Sequence, residues 1–161
     1  MPTKVNAIPP GYHTATPYLV VNDGSGALEY YKKAFNAKEL HRMAGPGGRI
    51  MHAEFKIGDS IIMLAEEMGP NKSPQSLGGS PVSIFLYVEN VDSVFKQAVD
   101  AGGKADKQPE NMFWGDRFGS LTDPYGHLWA LATHVEDVAP QEMERRGREA
   151  MAKMSQATAT A

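Results

Sequence analysis

Hydrophobic and polar positions in this chain change period several times, and each change marks an element. From Arg49 to Ile57, Met51, Ala53, Phe55 and Ile57 alternate with His52, Glu54 and Lys56. That period predicts a strand with one apolar and one polar face. Gly58-Asp59 turns the chain, and Ser60 to Ala65 returns as an apolar strand. Upstream, Thr14 to Val21 reads as a first strand, broken at Asn22-Asp23-Gly24. Ser25 is the expected helix cap, and Ala27, Leu28, Tyr31, Ala34 and Phe35 follow at helical spacing up to a stop at Asn36. Ala37 to Met43 is a further strand. Gly45-Pro46-Gly47-Gly48 is a hairpin turn, and with no helix after it there is no phosphate-loop logic.

After a polar stretch from Glu66 to Ser80 the pattern restarts. Val82 to Val88 is a strand. Asn90 or Asp92 caps a helix carrying Val94, Phe95, Ala98 and Val99, closed by Gly102-Gly103. Lys104 to Gln108 is a weak strand. Phe113 to His134 forms a hairpin about Asp123-Pro124-Tyr125-Gly126, where Pro presets φ and Gly can take positive φ. The two halves match at one constant offset: Val21 with Val88, Leu28 with Phe95, Ala34 with Ala101, Leu64 with Leu131, Ala65 with Ala132. The expected architecture is α+β, two βαβββ modules whose sheets each have one face covered by a helix. Their other faces can pair into a curved mixed sheet around a cavity. Residues 1–12, with three prolines, form an extended arm. Pro140 opens a charged helix to about Met154 with a ragged stripe of Met143, Ala150, Met151 and Met154, and the final SQATATA is expected to be disordered.

Composition narrows the function classes. At 161 residues and a net charge of −3, with no long basic run, nothing suggests a nucleic-acid footprint or a polybasic membrane patch. No cysteine is present, which removes disulfides, zinc-thiolate sites and a thiol nucleophile. The N-terminus lacks the apolar core of a signal peptide and no run is long enough to cross a bilayer, so cytoplasmic residence is the expectation.

Trp114-Gly115-Asp116-Arg117 followed by Asp123-Pro124-Tyr125-Gly126 resembles the commonest signature of the vicinal oxygen chelate superfamily, which includes glyoxalase I, extradiol dioxygenases, fosfomycin-resistance enzymes and bleomycin-binding proteins. The likeness runs from about Tyr12 to Glu136. Phe113-Trp114, His52 and the Pro17-Tyr18-Leu19 start resemble its PhnB-like branch. The resemblance implies a single domain over 13–136, with module one at 13–66, a linker at 67–80 and module two at 81–136, followed by the helix and tail at 137–161. It also implies metal ligands, usually His and Glu, on the first and last strand of each module. Carried onto this chain, those slots hold Thr16, Met63, Ser83 and Ala130, which are poor ligands or none, so no metal or other cofactor is expected.

His52 and Glu54 are the first candidates for chemistry. Two apart on a strand, they share a face at roughly 7 Å, away from the apolar set, and a neutral His beside a carboxylate can act as a general base. Tyr18, Phe85 and Tyr87 are expected on the cavity face and Trp114 at its rim, an aromatic lining that suits a flat organic ligand. Asp116 and Arg117 are further candidates, Arg117 either clamping an anion or pairing with Asp116 or Asp123. Trp129 is assigned to core. His127, His134, His41 and His13 read as surface residues. The expected function is binding, with or without transformation, of a small organic molecule without the usual metal. Alternatives are a divalent-metal lyase or isomerase of glyoxalase type and an antibiotic-sequestering protein. A homodimer is expected, burying more than roughly 1,000 Å², because two modules in one chain cover their sheet faces only partly.

Overall fold

The computed structural model describes residues 5–159. Module one consists of β1 (Tyr18–Val21), α1 (Gly24–Phe35), β2 (Lys38–Ala44), β3 (Ile50–Ile57) and β4 (Ser60–Glu66). A short helix α2 (Pro74–Leu77) lies in the linker. Module two consists of β5 (Ser83–Tyr87), α3 (Val91–Asp100), β6 (Lys104–Asn111), β7 (Asp116–Thr122) and β8 (Leu128–His134), and α4 (Pro140–Ala159) follows. Each module is a four-stranded mixed sheet, ordered β1-β4-β3-β2 and β5-β8-β7-β6. The internal repeat holds at the level of strand pairing. Tyr18 faces Met63 and Leu19 faces Leu64 across the parallel β1–β4 pair, and Phe85 faces Ala130 and Leu86 faces Leu131 across β5–β8.

Local chemistry sets the boundaries and departs from the sequence reading at several points. The cap of α1 is Asp23, not Ser25: its carboxylate accepts from the Gly26 amide at 2.9 Å, which leaves Ser25 inside the first turn. Gly24 cannot be larger, since a Cβ there would lie 2.6 Å from the Cβ of Ile50. Asn36 ends α1 at φ 53°, the left-handed conformation that Asn tolerates. Asn90 caps α3 through the Ser93 amide at 2.9 Å, and Asp92 is committed elsewhere. On β3 the buried residues are Ile50, Ala53, Phe55 and Ile57. Met51 is displaced from that face because the register shifts where Met43–Ala44 passes His52–Ile50, a bulge that flips the alternation. β6 is longer than expected and holds Pro109, tolerated because β6 is an edge strand with two register shifts. α4 continues past Met154, so Ser155–Ala159 of the expected disordered tail is helical, and residues 160–161 lie outside the described ones.

The helices bring the modules together. Tyr30 donates its hydroxyl to the Ala98 carbonyl at 3.2 Å. The Gln97 side chain donates to the Lys33 and Ala34 carbonyls at 2.8 and 3.1 Å, closing the end of α1 from α3. Tyr31 stacks on Phe55 at 5.0 Å, and Phe35 lies 4.6 Å from Trp129, which is fully buried. One apolar core therefore contains residues of both modules. At its centre is the buried carboxylate of Asp123. It accepts from the Tyr31 hydroxyl at 2.7 Å, the Trp129 indole at 2.8 Å, and the Tyr125 and His127 amides at 2.8 and 3.0 Å. His127 is not a bare surface residue: its Nε2 donates to the Val20 carbonyl at 2.9 Å, a further tie between modules. The linker also docks on this turn, through Gln75 to the Pro124 carbonyl at 2.9 Å.

Removing the Asp123 carboxylate strands two buried donors. Asp123→Ala is expected to cost about 3–5 kcal/mol, and Tyr31→Phe roughly 1.5–3 kcal/mol because one charge-assisted bond is lost. Urea titration with unchanged slope checks both; a loss under 1 kcal/mol for Asp123→Ala would show that the carboxylate is not the joint between modules.

Candidate functional site

On the face of module one that α1 does not cover, four side chains form a continuous hydrogen-bonded chain. His52 and Glu54 project from the same face of β3, with Nε2 3.1 Å from Glu54 Oε1. The Tyr18 hydroxyl of β1 lies 3.3 Å from His52 Nδ1. Tyr12, on the N-terminal arm, donates its hydroxyl to the other Glu54 oxygen. A carboxylate only accepts, so His52 carries its proton on Nε2 and takes the Tyr18 hydroxyl on Nδ1 when neutral. The Tyr12 bond, and after it the His52 bond, hold the Glu54 carboxyl below the usual carboxylate range, and the same carboxylate raises the Tyr12 phenol. Glu54 and Met63 form part of a cavity of about 500 Å³ whose other wall is the arm, at Ile8, Pro9, Tyr12 and Thr16. His52 and Glu54 keep side-chain exposures of 24% and 21%, enough to meet a ligand. Such a chain can accept a proton from a bound molecule or fix its hydroxyl and carbonyl groups.

The uncovered face of module two is aromatic. Phe85 lies 5.1 Å from Tyr87 and 5.8 Å from Phe118, and Trp114 lies 6.0 Å from Phe118. Asp116 does not reach this surface itself. It is 3% exposed and accepts from the Trp114 indole at 3.0 Å, the Tyr87 hydroxyl at 3.1 Å and His134 at 2.8 Å. Arg117 is turned to the helix side, where it forks onto Asp92 at 2.6 and 2.7 Å and reaches Asn111 at 3.2 Å. Its partner is neither Asp116 nor Asp123, and it does not stand with the aromatic rings. Sequence reasoning missed Tyr12 and His134. Tyr12 lies in a proline-rich arm with no periodicity to place it. His134 escaped by one position: counting outward from the four-residue Asp123–Gly126 turn puts Thr133 opposite Asp116, but the loop closes through His127, whose carbonyl accepts from the Asp123 amide at 2.9 Å, and this shifts the register to His134.

The slots for a divalent metal do not suit one. Thr16 and Met63 line the arm cavity, whereas Ser83 and Ala130 line a separate recess of about 340 Å³. Two hydroxyls, a thioether and a methyl lack the imidazole and carboxylate donors such a site uses. Among the described residues no three His, Asp or Glu side chains are grouped to hold an ion.

Two βαβββ modules, each with the first strand parallel to the last and one face open, define the paired-module class of small α+β folds. The chain belongs to the Glyoxalase/Bleomycin resistance protein/Dioxygenase superfamily, whose family model matches residues 12–131. An uncharacterised protein of Mycobacterium tuberculosis (strain ATCC 25618 / H37Rv) is 40% identical over 134 residues, spanning 80% of this chain and 79% of the relative. Among solved structures, TioX from Micromonospora sp. ML1 superposes with a TM-score of 0.60 at 25% identity, covering 75% of this chain and 99% of TioX. The Arabidopsis thaliana At5g48480 product superposes with a TM-score of 0.62 at 25% identity, covering 75% and 98%.

The arm is held to β3 through an ionised Glu54. Because the folded pKa is lowered, this contact is fully present above about pH 4.5 and is lost as pH falls through the folded value. The Tyr12 amide, bonded to the Pro9 carbonyl at 3.1 Å, reports it. Hydrogen exchange at Tyr12 is expected to rise roughly tenfold in Glu54→Ala at neutral pH, and in the native chain only below that range. Equal exchange in both at pH 7 would show an arm held by other contacts.

Proposed function

We propose that this chain binds, and by proton transfer acts on, a small planar organic molecule between its open sheet faces, with His52 and Glu54 as the working polar groups. The observation that carries this reading is the Tyr12–Glu54–His52–Tyr18 chain, whose Tyr12 and Glu54 line a cavity of about 500 Å³. A ligand hydroxyl that displaces Tyr18 from His52 Nδ1 meets an imidazole that can take its proton and keep the imidazolium paired with Glu54. Tyr18, Phe85, Tyr87 and Trp114 supply the flat apolar walls. The family's ligand slots carry no suitable donors, so the reading uses no divalent metal. Phe113-Trp114, His52 and the Pro17-Tyr18-Leu19 start support placing the chain in the PhnB-like branch.

The test is a molecule retained through purification and identified by native mass spectrometry. Retention is expected to fall at least about tenfold in His52→Ala and Glu54→Ala, with melting temperature nearly unchanged because both side chains are partly exposed. Elemental analysis is expected to find far less than one metal per chain; stoichiometric zinc, nickel, iron or manganese would overturn the metal-free reading. Recovery of the ligand unchanged after prolonged incubation would assign sequestration in place of turnover.

The same reading requires a second chain. β1 and β5 are outer strands of their sheets, and Tyr18, Phe85 and Tyr87 are 51%, 46% and 66% exposed. Aromatic faces of this kind are covered in stable proteins. Light scattering at micromolar concentration is expected to give twice the chain mass; a single-chain mass that persists on concentration would overturn the dimer and any pocket shared across it.

A further inference from the structure

His134 closes β8 opposite Asp116, the first residue of β7, and its ring lies between two carboxylates of opposite character. Nδ1 is 2.8 Å from Asp116, which is buried and already accepts from Trp114 and Tyr87 on its other oxygen. Asp116 therefore fixes the ring and cannot itself bind a ligand. Nε2 is 2.9 Å from Asp137, whose side chain is fully exposed on the segment leading to α4. Exposed ion pairs of this sort contribute little to stability, so Asp137 is easily displaced. The bond to Asp137, then that to Asp116, holds the imidazole above its ordinary value and favours the charged form. Beside it runs the contiguous aromatic surface of Tyr87, Phe85, Phe118 and Trp114.

We propose that His134 and this aromatic surface form a subsite for a planar aromatic carboxylate, and that Asp137 occupies the position the ligand's carboxylate takes. The proposal rests on reading the open faces as ligand-binding and names the ligand class for module two. A monoanion fits better than a phosphate. One imidazolium offers one charge, Asp116 already balances part of it, and Arg117, the nearest guanidinium along β7, is spent on Asp92. The flat body of the ligand gains contact with the rings, which an aliphatic acid lacks.

The experiment uses the full chain, 2-naphthoate and the neutral 2-naphthamide, read by the two indole N–H signals in an NMR titration. Trp114 touches Asp116 at the surface and Trp129 is buried on Asp123, so one signal reports the subsite and the other the core. Naphthoate is expected to move the Trp114 signal alone and to bind about tenfold tighter than the amide, the worth of one charge-assisted bond. His134→Gln should erase that preference, and Asp137→Asn should tighten naphthoate several-fold by removing the competitor. Equal binding of acid and amide, a preference that survives His134→Gln, or no gain in Asp137→Asn would overturn the subsite while leaving a flat-ligand surface in place. No shift of Trp114 with either probe at millimolar concentration would overturn the subsite and the planar-ligand reading together.

Discussion

The fold depends on one buried carboxylate. Asp123 accepts two amide bonds from its own turn, an indole bond from β8 and a phenol bond from α1. A buried carboxylate with unfilled acceptor positions is costly, and this one is filled only when both modules are in place. The demand of a single ionised group thus couples the turn to the packing of Trp129, and Trp129 to the helix of the other module. Because α1 and α3 and the apolar sheet faces are gathered into this shared core, the remaining face of each sheet is turned away from it. The open surfaces that carry the candidate chemistry are a consequence of how the modules are joined.

Legibility in the sequence followed the strength of each physical signal. The alternation of β3, the spacing of α1 and the Asp-Pro-Tyr-Gly turn are properties of neighbouring residues, and the repeat extends them to the pairing register. Where two local choices compete, sequence alone does not decide. Asp23 and Ser25 are both good caps, and the structure uses Asp23, with Gly24 packed against Ile50. Met51 fits the period on β3, yet a bulge against β2 gives the core position to Ile50. For the site, alternation placed His52 and Glu54 on one face, and the structure joins them directly. Arg117 was ambiguous because a guanidinium finds whichever carboxylate comes near, and α3 brings Asp92 from outside the hairpin. Tyr12 was out of reach because no periodic signal ties an arm to a strand more than forty residues away.

The acidic side chains divide into two kinds by burial. Asp116 and Asp123 are buried, and each is surrounded by donors whose positions it sets. Glu54 is partly exposed, has one phenol and one imidazole as partners, and lies on a cavity wall. Charge in the first setting holds geometry, because burial shuts out a ligand and three donors on Asp116 and four on Asp123 fix the carboxylates in place. Charge in the second can be redistributed when a ligand enters, since both partners have access to solvent or to the cavity. The Trp-Gly-Asp-Arg and Asp-Pro-Tyr-Gly motifs therefore mark the joints of the frame, and the candidate groups His52, Glu54 and His134 lie on β3 and at the end of β8, outside them.

The repeat also explains an asymmetry in the candidate chemistry. Equivalent positions have diverged in opposite directions. Glu54 lies across from Met63 in module one, whereas Ser120 lies across from Ala130 in module two. Tyr18 bonds to a histidine, whereas its counterpart Phe85 packs against the rings of Tyr87 and Phe118. One face keeps a polar chain able to handle protons, and the other keeps a flat apolar surface with a single imidazole at its border. A pairing of chains that sets the first face against the second gives a ligand a polar edge on one side and a stacking wall on the other. Two copies of the same face would give either two polar edges with no stacking wall or an undirected apolar slot. The divergence of the halves is therefore the physical argument for a site assembled from unlike modules.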